Sequence, residues 1–368
     1  MKKITIIILT AAFAMAFAAA PLSALPGRDS GLKMAVRGVW AHPGTFGPDQ
    51  AKAVPLMRKT LDEYVRAGID TVIMLVKNTN GYVYFRSETG VGDPAYTWDF
   101  LGAFLKEAKA RNISVHPWFC VFHETGILGE FRKNPEWLIT GRHREMVGAA
   151  NPALPEVREY ELSLMMEVAK NYPVDWIHLD YIRFPCEPTE PYFSFDPKTR
   201  ALFKEFSGWD PLEIKAQDSG NMIWNEWLEW NRDRVTQFVA ELKDALKTMG
   251  RSIKISAAVF LDPDNARVLI GQDWSKWAEQ GLVDMLCPML YTDHDVFFEK
   301  YVKRAVAVAK GRCQVCAGIG ILSSHNKNTP EGMIRQMKIT KDCGADGVIY
   351  FSSGSLTAPF LKKLRAAD

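Results

Sequence analysis

The sequence has almost no excess of charge of either sign. Its 45 lysine and arginine residues are balanced by 43 aspartate and glutamate residues, which leaves a formal net charge of +2. Proteins that bind nucleic acid usually carry a basic patch or stripe, and this chain has none. The charge balance therefore predicts no nucleic-acid partner. Hydrophobic residues make up 47% of the chain, which is enough for the large core of a globular protein.

Two further absences narrow the fold. No glycine-rich phosphate loop follows the first strand-like run, although an open, doubly wound sheet that binds nucleotides normally has one there. The chain also has no short-period repeat and no low-complexity segment. These absences weaken the case for an open nucleotide-binding sheet and exclude a repeat architecture.

Cysteine is scarce, and its spacing does not indicate a metal site. The six cysteines include one C-x-x-C pair, Cys313 and Cys316, without the second pair or histidine cluster of a zinc site. These two lie in an apolar run, as do Cys120 and Cys287, and cysteine in such runs usually behaves as a small buried hydrophobe. We therefore predict no metal and no cofactor.

Only one apolar run is long enough to cross a membrane. It is ITIIILTAAFAMAFAAA, residues 4–20, which follows two lysines and precedes further small residues. This arrangement predicts a secretory signal peptide over residues 1–24, cleaved after Ala18, Ala19 or Ala24 because Pro21 disfavours cleavage just before it. An uncleaved anchor is the alternative. We expect residues 25–368 to work outside the cytoplasm, in the periplasm or secreted, with no stable membrane span after cleavage.

Past this segment, short apolar runs alternate with longer amphipathic ones. Eight runs predict strands, and they are 36–42, 71–77, 113–122, 175–183, 253–260, 283–292, 312–321 and 346–353. Helices are predicted between them, most clearly over 155–172 and 223–249, where apolar residues recur at helical spacing. Eight parallel strands, each followed by a helix, predict a single-domain (β/α)8 barrel; an open sheet is the alternative. The longest loops, 123–150 and 184–222, follow the third and fourth strands.

Some polar and aromatic residues are predicted to be structural. Four strands begin with an aspartate after a turn, and these residues are Asp70, Asp175, Asp284 and Asp346. The beginnings of barrel strands govern stability rather than chemistry, and aspartate suits a tight turn. Tryptophans 224, 227 and 230 have near-helical spacing, which is typical of core packing.

Other polar and aromatic residues gather at the ends of the predicted strands, where a barrel places its chemistry. Asp180 is the most informative, because a carboxylate in an apolar strand is costly to bury unless it is paired or used. His178 lies two residues earlier and therefore on the same face. A buried pair of Asp180 with His178 or Arg183 that only holds the loop is the alternative. The predicted substrate-binding residues are Trp40, His42, Lys77, His116, Trp118, His178, Arg183, Tyr291 and Tyr350.

Four stretches resemble glycosyl-hydrolase-like family 10, a family of exported bacterial proteins. They are NPALPEVREYELSLMMEVAKNYPVDWIHLDYIRFP, RGVWAH near the start, GQDWSKW (271–277) and the Asp-x-x-x-Pro-x-x-Tyr pattern at 284–291. Together they extend the resemblance over residues 36 to 355. The resemblance implies a (β/α)8 barrel, export and glycoside hydrolysis, with some members linked to the glycan strands of peptidoglycan.

Glycoside hydrolysis normally needs two carboxyl groups, one as proton donor and the other as nucleophile or base. We expect Asp180 to be the nucleophile or base in an enzyme that cleaves a polysaccharide, with peptidoglycan glycan strands as one candidate. Asp293 is the first candidate for its partner, and Asp262 and Glu124 are the next, with equal standing.

Two alternatives to hydrolysis stay open at this point. Many relatives carry a second acid directly after the aspartate, where this chain has Tyr181, so a role that depends on adjacent acids is not carried over. This departure favours a glycan-binding barrel without catalysis. The other alternative is a metal-dependent deacetylase or amidase, for which the candidate ligands are His42, His116, His123 and His178. Their spacing matches no zinc motif.

Overall fold

The computed structural model describes residues 32–186 and 191–367. The predicted signal peptide, residues 1–24, lies outside these ranges, as do residues 187–190 of the loop after the fourth strand. Within the described ranges, no helix is long and apolar enough to cross a membrane.

Eight parallel strands form the centre of the fold. They are β1 (Val36–Ala41), β2 (Thr71–Lys77), β3 (Ser114–Cys120), β4 (Trp176–Asp180), β5 (Lys254–Val259), β6 (Met285–Pro288), β7 (Gln314–Gly320) and β8 (Gly347–Phe351). Each strand pairs with its neighbours in chain order, and β1 closes the sheet because Gly38 pairs with both Thr71 of β2 and Ile349 of β8. The predicted (β/α)8 barrel is confirmed, and the open-sheet alternative is wrong.

Helices cover the outside of the barrel. They are α1 (Gln50–Arg66), α2 (Phe100–Lys109), α3 (Gly129–Lys133), α4 (Pro155–Asn171), α5 (Pro197–Ser207), α6 (Met222–Lys247), α7 (Pro263–Leu269), α8 (Trp274–Glu279), α9 (Asp295–Ala309), α10 (Pro330–Asp342) and α11 (Ala358–Arg365). The loop after β3 contains α3 and an antiparallel hairpin, Leu138–Thr140 with Met146–Ala150. The loop after β4 contains α5, so the two predicted long loops carry structure of their own.

The barrel separates two apolar cores. Residues that alternate inward, such as Trp40, Ile73, Met285 and Ile349, pack together inside the barrel. Their neighbours in sequence point outward and pack against the helices. Each large apolar side chain buried in this way stabilises the fold by about 1.5–3 kcal/mol. Cys120, Cys287 and Cys316 belong to the inner core as small buried side chains, as predicted, and none of the six cysteines is in a disulfide.

The aspartates at the strand beginnings tie neighbouring strands together. The carboxylates of Asp70, Asp284 and Asp346 accept hydrogen bonds from backbone N–H groups in the adjacent strand or the residue before it. The corresponding contact of Asp175 uses its backbone carbonyl, which accepts from the N–H of Lys254. The structural prediction for Asp70, Asp284 and Asp346 is confirmed, because each carboxylate accepts a backbone hydrogen bond at the end of the barrel where the strands begin.

The tryptophans of α6 are core residues, as the spacing predicts. Asn221 caps the helix by accepting the N–H of Trp224 at 3.0 Å. Trp227 is fully buried and stacks on Trp230 with 5.5 Å between ring centroids. Both rings contact Phe203 of α5, and they therefore pack the loop after β4 against α6 on the outside of the barrel.

Candidate active site

A cavity of about 930 Å³ opens at the carboxyl ends of the strands. Each of the eight strands, or the loop that follows it, contributes to its wall. The lining includes Trp40, His42, Leu75, Asn78, Tyr84, Trp118, Cys120, Asp180, Tyr181, Arg183, Phe260, Tyr291, Thr292, Phe297, Ser323, His325 and Phe351. Ligand sites of (β/α)8 enzymes occupy this face, and the volume suits several sugar rings.

Asp180 is the one acidic residue among the described residues that line the cavity. It ends β4 and is 6% exposed. Its Oδ1 accepts hydrogen bonds from the Tyr181 N–H at 2.6 Å and from Arg183 Nη1 at 3.4 Å. Burial, opposed by the charge of Arg183, raises the pKa of Asp180 above its ordinary value. The indole N–H of Trp118 also faces this carboxyl group and lowers its pKa, without forming a hydrogen bond of normal geometry. The carboxyl group is therefore only weakly engaged on its cavity side.

Arg183 is held rigidly beside Asp180. Its guanidinium lies 4.3 Å from the centre of the Tyr181 ring and 4.7 Å from that of Phe260. Tyr181 reaches this position because its backbone is left-handed, with φ of 48°. The two ring contacts fix the plane of a side chain that would otherwise have several rotamers.

Aromatic rings form much of the cavity wall. Tyr291 and Phe351 are stacked with 5.0 Å between ring centroids, and Trp40 meets both rings edge-on. On another side, His42 packs against Trp118 at 5.0 Å. Burial lowers the pKa of His42, so its ring is neutral near pH 7. The wall therefore offers flat apolar faces with few charges, which suits the apolar faces of sugar rings.

The structure places His178 and His116 beneath the cavity rather than in its wall. His178 Nε2 accepts the indole N–H of Trp40 at 3.2 Å, and its Nδ1 lies 2.9 Å from Ser256 Oγ. His116 Nδ1 lies 2.9 Å from the same oxygen, and its ring stacks on Trp176. Because the indole can only donate, His178 is neutral, and burial lowers the pKa of both imidazoles. They fill the barrel interior and support Trp40.

Lys77 and Glu124 also lie away from the cavity, in a cluster with Glu161 of α4. Lys77 Nζ is 2.5 Å from Glu124 Oε1 and 3.0 Å from Glu161 Oε1, and all three side chains are almost completely buried. Lys77 also donates to the carbonyls of Cys120 and Val121. Gly81, with φ of 91°, packs so closely on Glu124 that a Cβ would overlap it. Both predicted functional residues are thus engaged in a sealed ionic contact.

The remaining predicted residues lie around the cavity or behind it. Asp262 caps α7 by accepting the N–H of Asp264, and Asp293 is an exposed residue that directly follows the cavity residue Thr292. Tyr350 points outward from β8 and donates its hydroxyl hydrogen to Met337 of α10. The structure therefore brings together Trp40, His42, Trp118, Asp180, Arg183 and Tyr291 in the cavity wall. Asp262 and Asp293 each directly follow a lining residue, and the other predicted residues lie away from the cavity.

Several residues that line the cavity are not marked by any pattern in the sequence. Phe351 faces the inside of the barrel and its neighbour Tyr350 faces the outside, whereas the sequence prediction placed Tyr350 at the site. Tyr84, Phe297, Ser323 and His325 come from loops or a helix start, and no local pattern marks them. A loop residue reaches the site through the path of its loop, which strand periodicity does not record.

The histidines considered as metal ligands do not gather. Within residues 32–186 and 191–367, no group of three His, Cys, Asp or Glu side chains could hold a metal ion. His116 and His178 share Ser256, whereas His123 packs on Tyr181. The metal-dependent deacetylase or amidase thus finds no ligand set in this part of the chain.

Comparison with solved structures places the fold among known barrels. The glycoside hydrolase domain of PgaB (BpsB) from Bordetella bronchiseptica superposes with a TM-score of 0.72 at 15% identity, over 90% of this chain and 98% of that domain. At this identity, the likeness shows the fold alone, a (β/α)8 barrel.

Sequence comparison then gives the family. The chain belongs to the Glycosyl hydrolase-like 10 family, whose model matches residues 36–336. Glycosyl hydrolase YngK of Bacillus subtilis (strain 168) is 24% identical over 263 residues, 63% of this chain and 48% of YngK. Glycosyl hydrolase DigH of Escherichia coli (strain K12) is 25% identical over 276 residues, 63% of this chain and 56% of DigH. The chain spans about half the length of these relatives, and the predicted family resemblance is confirmed.

Proposed function

We propose that this protein hydrolyses O-glycosidic bonds of a polysaccharide in the cavity at the carboxyl end of its barrel. The observation that carries the proposal is the position of Asp180, a buried carboxyl group that lines the cavity among aromatic walls. The family and the glycoside hydrolase fold support the same reaction. Neither a non-catalytic barrel nor a metal-dependent deacetylase gains support from the site.

Within this proposal, Asp180 is the proton donor rather than the nucleophile or base expected from the sequence. A general acid must hold its proton until the leaving oxygen needs it, and burial raises the pKa of Asp180 in that direction. Arg183 opposes the shift and keeps the proton available for transfer. Asp180, which lies next to the apolar wall, thus has the environment of a general acid, one that favours the protonated carboxyl group.

The partner carboxylate in this proposal is Asp293. It directly follows Tyr291 and Thr292, which line the cavity, and its side chain is 54% exposed and caps no helix. Asp262 is occupied as the cap of α7, and Glu124 is paired with Lys77. Among the three acids predicted from the sequence, Asp293 has the least engaged carboxylate, and its contact among the described residues is with the exposed side chain of His294, 3.7 Å from Nε2 to Oδ1.

The proposed substrate is an extracytoplasmic glycan, with peptidoglycan glycan strands as the first candidate. The support comes from the sequence, where residues 1–24 have the pattern of a signal peptide. An exported enzyme meets polysaccharides of the cell wall and the cell surface. The cavity suits such a chain because aromatic faces alternate with neutral hydroxyl and amide groups.

The test is product analysis with matched variants. The mature protein, Asp180→Asn, Asp293→Asn and the control Asp244→Asn, on the exposed surface of α6, are incubated with peptidoglycan strands and a panel of other glycans. New reducing ends, identified by mass spectrometry, are expected from the wild type and from Asp244→Asn. Strong loss in Asp180→Asn and Asp293→Asn would support their roles. No product from the wild type on any glycan, or full activity in Asp180→Asn, would refute the assignment.

A further inference from the structure

Arg183 has hydrogen-bonding capacity that the described residues do not use. Its side chain is 10% exposed, so nine-tenths of it is buried in the cavity wall. One acceptor is available to it, Asp180 Oδ1, at the long distance of 3.4 Å from Nη1. A guanidinium has five N–H donors, and neither Nε nor Nη2 has a hydrogen-bond acceptor among the described residues. The free edge of a buried fork thus faces the cavity.

The rest of the cavity does not balance this charge. Among the described residues that line it, Asp180 and Arg183 are the only Asp, Glu, Lys or Arg side chains. Asp180 compensates Arg183 while it is ionised, but burial favours its protonated form. When Asp180 carries the proton, a buried cation is left without a counter-charge, which is unfavourable.

The chemistry of the proposed reaction makes this imbalance more important. The transition state of glycoside hydrolysis resembles an oxocarbenium ion, so positive charge develops on the sugar beside Asp180. An uncompensated guanidinium nearby would oppose that charge. An anionic group on the substrate, bound to Arg183, would remove the opposition. The planar fork of arginine matches a carboxylate with two parallel hydrogen bonds.

The geometry points to Arg183 as the specificity-determining residue of the cavity, which binds a carboxylate carried by a sugar of the glycan substrate. Two ring contacts, from Tyr181 and Phe260, hold the guanidinium plane so that its free edge is ready before the ligand arrives. The inference rests on the proposed glycosidase function and narrows its substrate to acidic glycans. The carboxylate can come from a uronic acid or from a lactyl ether on an amino sugar.

Binding measurements with paired oligosaccharides test the inference and separate the two sources. One pair is a uronic acid oligomer and its carboxyl-reduced form; the other is a lactyl-bearing amino sugar oligomer and its methyl amide. Quenching of tryptophan fluorescence reports binding, because Trp40 and Trp118 line the cavity. The titrations are done at low temperature, and mass spectrometry confirms that the ligands remain intact.

The wild type is expected to bind the acidic member of at least one pair about tenfold more tightly than its neutral counterpart. Arg183→Met should bring that ratio close to one, while Arg183→Lys keeps part of it because the charge stays but the fork is lost. Arg66→Met, the same change in an exposed ion pair of α1, should leave the ratio unchanged. The affinities for the acidic and the neutral member are compared within each variant. A variant with less folded protein would therefore not show a changed ratio for that reason alone.

Equal affinity for acidic and neutral members in both pairs, or a ratio that survives Arg183→Met, would overturn the inference. If neutral glycans are then still cleaved, the proposed function stands and only the acidic preference fails. If the wild type neither binds nor cleaves any glycan, the proposed function fails together with the inference.

Discussion

This barrel contains two neighbouring clusters in which buried acidic and basic side chains pair, and only one of the two clusters lines the cavity. The sealed cluster contains Lys77, Glu124 and Glu161, and the cavity pair contains Asp180 and Arg183. In the sealed cluster the lysine has four acceptors for three N–H groups. In the cavity pair, Arg183 donates one long hydrogen bond, 3.4 Å from Nη1 to Asp180 Oδ1, and its Nε and Nη2 have no acceptor among the described residues. Glu124 Oε1 and Glu161 Oε2 of the sealed cluster also lack a hydrogen bond of normal geometry among the described residues, but they do not line the cavity. Access to the cavity therefore separates the structural cluster from the pair that can bind a ligand.

The sealed cluster also supports the cavity pair. Lys77 donates to the carbonyls of Cys120 and Val121 at the end of β3. The N–H of Val121 in turn donates to the backbone carbonyl of Asp180 at 2.8 Å. The cluster therefore fixes the backbone that carries Asp180 without contacting a ligand itself. The comparison is tested by changing one member of each group at a time.

The largest expected effect is on catalysis, and it belongs to the cavity pair. Asp180→Asn removes the proposed proton donor, and turnover should fall by about 10²–10⁴-fold, the usual contribution of a general acid. Glu161→Gln removes a carboxylate of the sealed cluster that is at least as buried, and turnover at pH 6 should stay close to that of the wild type. Rates of reducing-end release on one glycan, with far-UV circular dichroism as a folding check, measure both. Equal losses in the two variants would contradict the distinction.

The second prediction concerns stability, and it belongs to the sealed cluster. Lys77→Met leaves Glu124 and Glu161 buried without their cation, which should lower the free energy of unfolding by about 3–5 kcal/mol. Lys303→Met is the control, because Lys303 pairs with Glu299 on the surface and such pairs contribute about 0–1 kcal/mol. Urea denaturation gives both values. A cost for Lys77→Met as small as that of the control would show that the cluster does not hold the fold.

The third prediction compares the pH dependence of the cavity pair with and without its cation. Arg183 lowers the pKa of Asp180 against the larger effect of burial, so Arg183→Met should raise that pKa further. A general acid is active when protonated, and the basic limb of kcat/KM should therefore move to higher pH. The profile is measured on a neutral glycan, with Arg66→Met as control. A basic limb that stays in place, or moves to lower pH, would argue against Asp180 as the acid.

The sequence predicts the framework well because periodicity records it. The eight strands, the closed barrel and the position of Asp180 at the end of β4 follow from apolar runs and strand order. Trp40, Trp118 and Tyr291 were found at the cavity for the same reason, as aromatic residues near strand ends. These features depend on which residues neighbour each other along one strand, and that information is local.

The predictions fail where position depends on depth or on a local irregularity. His178 faces the same way as Asp180, but it is two residues earlier and so about 6.6 Å deeper. Lys77 would face inward by alternation with Ile73 and Leu75. A shift of register between Leu75 and Lys77 turns it outward towards α4. Tyr350 and Phe351 could not be distinguished, because a strand buried on both sides gives no sign of which face is inner.

The smallest expected effect concerns the proton held by the sealed cluster. Burial, together with Glu124 and against Lys77, raises the pKa of Glu161 from 4.5 to about 8. Between these values the folded protein holds a proton that the unfolded chain has released, so the free energy of unfolding falls as pH rises. This contribution is complete below pH 4.5 and is lost as pH passes about 8.

Glu161→Gln has a neutral amide and should flatten this decline of the free energy of unfolding with pH, with stability near the wild type at pH 5 and a relative gain at pH 9. Urea denaturation across this range measures the slope, and Glu299→Gln on the surface should leave it unchanged. If Glu161→Gln keeps the wild-type slope, the cluster does not store the proton, and its structural role rests on hydrogen bonding by Lys77 alone.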